Sequence, residues 1–157
     1  MQLLLQAEGI DINKASKFEK KTALIAASSN GHTEVVQMLL RDEGVDVNQA
    51  NIYKDTPLYL AVNNGHTIIV KMLLQSPEID LNKEYKNETV LWIASGKGFT
   101  EIVQHLLVHP RTNITKGVYE DEDIILKVAN LISNEEAAFE IETQDILVLF
   151  EIQHIVH

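Results

Sequence analysis

One feature of the sequence constrains the fold more than any other: four short groups of residues recur in the same order about every 33 residues. Tripeptides that begin with threonine stand at Thr22, Thr56 and Thr89, which are 34 and 33 residues apart. Asp-x-Asn precedes each tripeptide, and Asn-Gly-His or Lys-Gly-Phe follows it, before a second threonine opens an apolar run. Self-similarity at this period indicates a solenoid of stacked supersecondary units.

The residue types predict two helices in each unit. A threonine oxygen is preferred at a helix N-cap, and the predicted caps of the first helix are Thr22, Thr56 and Thr89. We expect this helix to run for about two turns and to end where a left-handed glycine is needed, at Gly31, Gly65 and Gly98. The second threonine is predicted to cap the second helix, at Thr33, Thr67 and Thr100.

The second helix is amphipathic. In the first unit its apolar side chains fall at positions i, i+1, i+4 and i+5, which form one broad stripe: Val35, Val36, Leu39 and Leu40. The opposite side carries Glu34, Gln37 and Arg41. The pattern therefore predicts an all-α solenoid of helix–turn–helix units.

These motifs resemble the ankyrin repeat, with its Asp-x-Asn, Thr-Pro-Leu, Ala-x-x-x-Gly-His and Ile-Val-x-x-Leu-Leu groups. The resemblance covers roughly residues 1–116. It implies helix pairs followed by short β-hairpin-like loops that project at about right angles. It also implies that the Gly-His histidines, His32 and His66, hydrogen-bond to backbone between repeats.

The sequence departs from the family pattern in two places. The histidine after Thr-Pro-Leu is replaced by Ile25, Tyr59 and Trp92, and we expect Tyr59 and Trp92 to pack. The Asp-Gly hairpin tip is replaced by Glu19 and Lys20, by Tyr53 and Lys54, and by Lys86 and Asn87. The intervals from the motif asparagine to the repeat threonine are nine, eight and seven residues, which predicts three different tips.

The pattern predicts a single domain over residues 1–157. It divides into a partial repeat (1–9), three full repeats (10–44, 45–78 and 79–111) and a degenerate helical terminal repeat or cap (112–157). Residues 1–9 align with residues 36–44, so the chain opens in the middle of a second helix. We favour an excerpt from a longer array over a true start with a half-repeat cap.

The C-terminal region keeps helical patterns without the repeat motifs. Helical spacing covers residues 123–132, and a capping box stands at 133–136. Residues 143–156 are apolar on most sides, and we expect a helix there, with a strand as the alternative. This segment would close the stack, or else serve as a dimer surface or a packing site for further sequence.

Chemistry-bearing motifs are scarce. The chain has no cysteine, phosphate-binding loop, nucleophile elbow or kinase signature, so we expect no enzyme activity, cofactor or metal. His105 and His109 share one helix face, but no third ligand lies at a plausible spacing. We expect a reducing compartment, in the first place the cytoplasm, with the nucleus as a second choice.

The charge is distributed unevenly along the chain. Residues 1–117 carry 12 basic and 13 acidic side chains, whereas residues 118–157 carry one lysine and ten acids. The formal net charge of −10 disfavours nucleic acid and anionic membranes as partners.

The resemblance implies that hairpin tips and first helices form a concave binding face for a protein or peptide. Mapped onto this chain, its predicted contact residues are Phe18, Glu19, Lys21, Asn30, Ile52, Tyr53, Asp55, Asn63, Asn64, Tyr85, Lys86, Glu88, Lys97 and Tyr119. Aromatic residues on four successive tips (Phe18, Tyr53, Tyr85 and Tyr119), accompanied by lysines, suggest a partner with acidic and apolar groups. Two alternatives stay open: the rings seal their own hairpins, or the chain is a regulatory or targeting segment of a larger enzyme, channel or effector.

Overall fold

The structure is a computed structural model and describes residues 11–85 and 88–113. In chain order its helices are α1 (Ala23–Asn30), α2 (Thr33–Leu39), α3 (Pro57–Asn63), α4 (Thr67–Leu74), α5 (Val90–Gly96) and α6 (Thr100–Leu107). Helices α1 and α2, α3 and α4, and α5 and α6 form sequential pairs, and each first or second helix packs on its equivalent in the next pair. The described ranges contain no sheet, and the all-α repeat prediction is confirmed.

Each first helix begins as the sequence predicts. The Oγ1 atom of Thr22 accepts a hydrogen bond from the backbone N–H of Ile25 at 3.2 Å. Thr56 caps α3 and Thr89 caps α5 in the same way, and Pro57 occupies the first turn of α3. A side-chain oxygen thus satisfies one of the backbone N–H groups that a helix start leaves unpaired.

The second helices begin one residue earlier than the sequence predicts. Each threonine that was predicted to be a cap is the first helical residue, and the N-cap positions, which make no side-chain cap bond, are His32, His66 and Phe99. The link from the first helix is very short, and the threonine N–H donates to the glycine carbonyl two residues before it, at 2.9 Å from Thr33 to Gly31. Since this backbone bond satisfies the N–H group, the prediction that Thr33, Thr67 and Thr100 are N-caps was wrong.

The glycine that ends each first helix meets two requirements at once. Gly31 has a φ of +74° and Gly65 a φ of +72°, in the left-handed region that favours glycine. A Cβ atom on Gly31 would lie 2.8 Å from the imidazole Cε1 of His66, and one on Gly65 would lie 3.2 Å from the Phe99 ring. Packing of the next unit therefore also depends on these glycines.

The core is continuous because equivalent positions of the second helices are buried in all three units. Leu39, Leu73 and Leu106 are at most 1% exposed. Val36, Val70 and Val103 are fully buried one turn earlier. Each helix pair alone would leave this apolar stripe in water, so stacking stabilises the units together.

Asparagine side chains join successive units. Asn13 donates from Nδ2 to the carbonyl of Gly44 at 2.7 Å, and its Oδ1 accepts from the N–H of Asp46 at 2.7 Å. The same two bonds repeat in the next units, where Asn48 bonds to Glu78 and Asp80, and Asn82 bonds to Arg111 and Asn113. In the third set, Asn82 bonds only to backbone groups of Arg111 and Asn113. Because backbone groups do not depend on residue type, these bonds form although the Asp-x-Asn motif has decayed at residues 111–113.

The expectations for the partial repeat at 1–9, the helices after residue 116 and the apolar segment 143–156 lie outside the described residues. The same holds for the predicted dimer surface. No described helix is both long enough and apolar enough to cross a bilayer.

Candidate partner-binding surface

The three hairpin tips differ in length, as the spacing of the sequence predicts. Each tip starts three residues after the motif asparagine and ends one residue before the repeat threonine. The closing backbone bonds join Ser16 to Lys21, Asn51 to Asp55, and Tyr85 to Glu88. We call these loops the first tip (16–21), the second tip (51–55) and the third tip (85–88).

Two lysines adopt a left-handed backbone conformation. Lys20 in the first tip has a φ of 55° and Lys54 in the second tip a φ of 69°. Both stand two residues before the repeat threonine, where the ankyrin pattern has the glycine of Asp-Gly. Neither lysine is among the predicted contact residues, although the missing glycine was a signal that could have identified both.

Asn51 holds the second tip in shape. It is 6% exposed, and its Oδ1 accepts from the N–H groups of Tyr53 and Asp55, both at 2.9 Å. Its Nδ2 donates to the Asp55 carboxylate at 2.8 Å. Sequence analysis missed this residue because nothing in its local pattern distinguishes it from any other loop asparagine.

A backbone hydrogen bond links the first two tips. The N–H of Ile52 donates to the carbonyl of Glu19 at 3.1 Å. Phe18 precedes Glu19 in one tip and Tyr53 follows Ile52 in the other, so this bond keeps both aromatic residues on one edge of the stack.

The side chains on this edge are unusually exposed for their type. Phe18 is 83% exposed, Tyr53 56% and Ile52 54%. More than half of each of these side chains is open to solvent. We call them the apolar ridge.

The third tip is different. The ring of Tyr85 is half-buried and lies against Tyr59 of α3, with 4.2 Å between ring centroids and 36° between ring planes. Burial, followed by the nearby Tyr85, raises the pKa of Tyr59 to about 12. Tyr59 and Trp92 are also packed against the core, as the sequence analysis expected.

Several exposed lysines lie close in sequence to the apolar ridge. Lys14, Lys17, Lys20 and Lys54 are exposed, and the Lys17 ammonium lies 6.0 Å from the centroid of the Phe18 ring. The two predicted contact residues Glu19 and Lys21 form a salt bridge at 2.7 Å. The hydrogen bond from Lys21 to Glu19 raises the pKa of the lysine.

Several predicted contact residues on the first helices already make hydrogen bonds within the fold. Asn30 donates to the carbonyl of Ala26 at 2.8 Å, and Asn63 donates to the side-chain oxygen of Asn64 at 3.3 Å. Asn64 donates to the carbonyl of Ser29 in the preceding unit at 2.9 Å. These amides lie at the C-terminal ends of α1 and α3, where their bonds stabilise the helix ends and the seam between units.

The remaining predicted contact residues are spread out. Glu88 is half-buried in the closing pair of the third tip, and Lys97 is exposed at the end of α5. Lys86 and Tyr119 lie outside the described residues.

His66 has the structural role that the sequence predicts. Its Nε2 lies 3.2 Å from the carbonyl oxygen of Ser29 in the preceding unit. His32 is exposed.

His105 lies on α6 and His109 lies in the loop that follows this helix. Both histidines are on the side of the stack formed by the second helices, away from the tips. Nε2 of His105 is 3.9 Å from the Glu101 carboxylate, which also binds Lys71 at 2.6 Å. Burial is the main cause that lowers the pKa of both His105 and His109. Residues 11–85 and 88–113 hold no group of three or more side chains that could bind a metal.

The fold and its projecting tips define a class: a solenoid repeat protein built from sequential helix pairs. A family profile described as ankyrin repeats, in three copies, matches residues 1–85 of the 157. The chain belongs to the ankyrin-repeat family. The same stacking continues beyond the matched residues through α5 and α6.

Ankyrin repeats are generally protein–protein interaction modules and are typically non-catalytic. No match was found among curated proteins.

Proposed function

We propose that this chain is a non-catalytic interaction module that binds a protein or peptide through the concave face of its hairpin tips and first helices. One observation carries the proposal: Phe18 and Tyr53 are each more than half exposed on neighbouring tips that a backbone bond holds together. Large rings exposed to water are unfavourable for an isolated protein, and they become favourable when a partner buries them.

The rigidity of the second tip supports this function. The three side-chain bonds of Asn51 fix the backbone before a partner arrives. Tyr and Phe have few rotatable bonds, so their burial against a partner loses little conformational entropy. Pre-organised aromatic anchors of this kind dominate the energy of many interfaces.

The charge of the tip edge suggests the chemistry of the partner. Lysines flank the apolar ridge, while the Glu19 carboxylate is already paired with Lys21. A protein or peptide with acidic and apolar groups complements such a surface. A polyanionic nucleic acid is a poorer match, because the whole chain carries a net charge of −10.

The proposal can be tested by capture from native extract with the full chain as bait. The double variant Phe18→Ala with Tyr53→Ala should lose a partner that the wild type retains, as identified by mass spectrometry. Ile68→Ala is the matched control, since Ile68 on α4 is 59% exposed, similar to Tyr53, but lies outside the concave face. Thermal unfolding of all three proteins should be nearly equal. Capture of the same proteins by wild type and double variant would contradict the proposal.

A further inference from the structure

The two left-handed lysines of the tips are an unexpected choice of residue. Lys20 and Lys54 are the positive-φ residues other than glycine in the described ranges, and they occupy equivalent positions in neighbouring units. A side chain with a Cβ atom is disfavoured in this conformation, whereas glycine adopts it freely. Backbone strain retained at two equivalent surface positions points to a role for the side chains themselves.

Both lysine side chains are available to a partner. Lys20 and Lys54 are exposed, and no salt bridge joins either of them to a carboxylate within the described part of the chain. The carboxylates of their own tips have other bonds: Glu19 pairs with Lys21, and Asp55 accepts from Asn51. Two positive charges therefore border the apolar ridge.

The repeat geometry sets the spacing of these charges. Equivalent positions of neighbouring units are separated by roughly 10 Å, the distance between packed helices. A peptide in the polyproline II conformation advances ~3.1 Å per residue with three residues per turn, so side chains three positions apart lie on one face and span about that distance. The apolar ridge, formed by Phe18, Ile52 and Tyr53, lies on the same edge because the Ile52-to-Glu19 bond joins the tips.

We propose that the first two tips recognise an acidic protein segment in the extended polyproline II conformation, in which two carboxylates about three residues apart flank an apolar side chain. Lys20 and Lys54 each bind one carboxylate, and the apolar ridge covers the side chain between them. The third tip contributes little, because Tyr85 is held by Tyr59. This assignment rests on the proposed function and adds to it the chemical class and spacing of the partner.

Selection from a randomised display library of short peptides, with the full chain as target, tests the assignment. We expect the enriched peptides to share two acidic residues three apart with an apolar residue between them. Synthetic versions should lose affinity by about tenfold when both acids become glutamine, and by a similar factor when the two acids are placed next to each other.

The double variant Lys20→Gly with Lys54→Gly makes the test specific. It should bind the selected peptide about tenfold more weakly and yet unfold at a higher temperature, because glycine relieves the left-handed strain. A structural role for the lysines would instead lower the unfolding temperature. Arg41→Gln is the control, since Arg41 is an exposed cation outside the tips and first helices, and this variant should bind as the wild type does.

Each contrary result has a separate meaning. Enriched peptides without the acidic pair, bound through Phe18 and Tyr53, would overturn this assignment and leave the proposed function standing. Loss of affinity in Arg41→Gln equal to that in the lysine double variant would also overturn it, because general charge attraction would then be sufficient. A single-stranded oligonucleotide that binds more tightly than the selected peptide would overturn it in favour of nucleic acid.

Discussion

The first two tips and the third tip have the same place in their repeats but opposite surroundings. Counted from the repeat threonine, Phe18, Ile52 and Tyr85 are equivalent, and yet the first two are exposed while Tyr85 is half-buried. The reason lies in the preceding unit. The ring of Tyr59 contacts the Tyr85 ring, whereas the counterpart of Tyr59 in the first unit, Ile25, is fully buried and Ile52 is exposed.

This difference shows that a residue on a binding edge is made available or unavailable by its neighbour. At the third tip, Tyr59, which replaces the family histidine, holds the ring of Tyr85. The candidate site is therefore concentrated on two of the three units that the structure describes, although the repeat itself is nearly uniform.

The first two tips and the third tip are carried by units that share one core. The largest predicted effect is expected where a buried side chain of that core is removed. Leu73→Ala should cost ~2–5 kcal/mol in the free energy of unfolding, because Leu73 is fully buried between units. Ile68→Ala on the same helix should change it by about 0.5 kcal/mol or less, since Ile68 is exposed. Urea titration measures both, and equal effects would show that the units do not share this core.

Replacing a glycine that packs against the next unit should cost more stability than replacing the equivalent glycine of the third unit. Gly31→Ala should destabilise by roughly 2–3 kcal/mol, because it combines left-handed strain with a clash against His66. Gly98→Ala has the same φ problem but no atom within 4 Å, so about 1 kcal/mol is expected. Chemical denaturation of the two variants side by side checks the order, and a costlier Gly98→Ala would contradict the packing seen at the first seam.

The contrast between the tips can be tested directly. Tyr85→Ala should lower stability by about 1–2 kcal/mol, since it removes a half-buried ring from an aromatic pair. Phe18→Ala, which removes an 83% exposed ring, should change stability by less than about 0.5 kcal/mol. Calorimetric unfolding that gave similar losses for both would mean that Phe18 also packs on its hairpin.

The last predicted effect is a dependence of stability on alkaline pH, which is absent at neutral pH. The pKa of Tyr59 is about 12 in the folded chain against an ordinary value of 10.0. Between these values the unfolded chain loses this proton and the folded chain keeps it, so stability is complete below pH 10 and decreases as the pH rises towards 12.

Tyr59→Phe cannot ionise and should show a flatter alkaline stability profile than the wild type. Ultraviolet titration of tyrosinate formation in the folded protein provides a second measurement. If wild type and variant lost stability in parallel above pH 10, the tyrosine pair would not be the cause.

Much of the fold was predictable because its determinants are local and recur. The N-cap threonines, the left-handed glycines and the apolar stripe of each second helix depend on residues a few positions apart. The start of the second helix was misplaced because Thr33 was treated as an ordinary cap. In the structure a backbone bond to Gly31 satisfies its N–H group.

The candidate site was less predictable because its side chains are sorted by contacts between units. The sequence alone placed Phe18, Tyr53 and Tyr85 on equal terms, and it did not show that Asn64 bonds to the preceding unit. Contacts across the seams, from Tyr85 to Tyr59 and from Asn64 to Ser29, decide which of these residues a partner can reach.

What the sequence by itself determined is the period, the helix pairs and the lengths of the three tips, since each follows from short-range backbone preferences repeated along the chain. Only the tertiary structure decided that two tips are joined and that the third ring is held. These outcomes depend on which residues the stacking of units brings together, and residues some thirty positions apart carry no local signal of their contact.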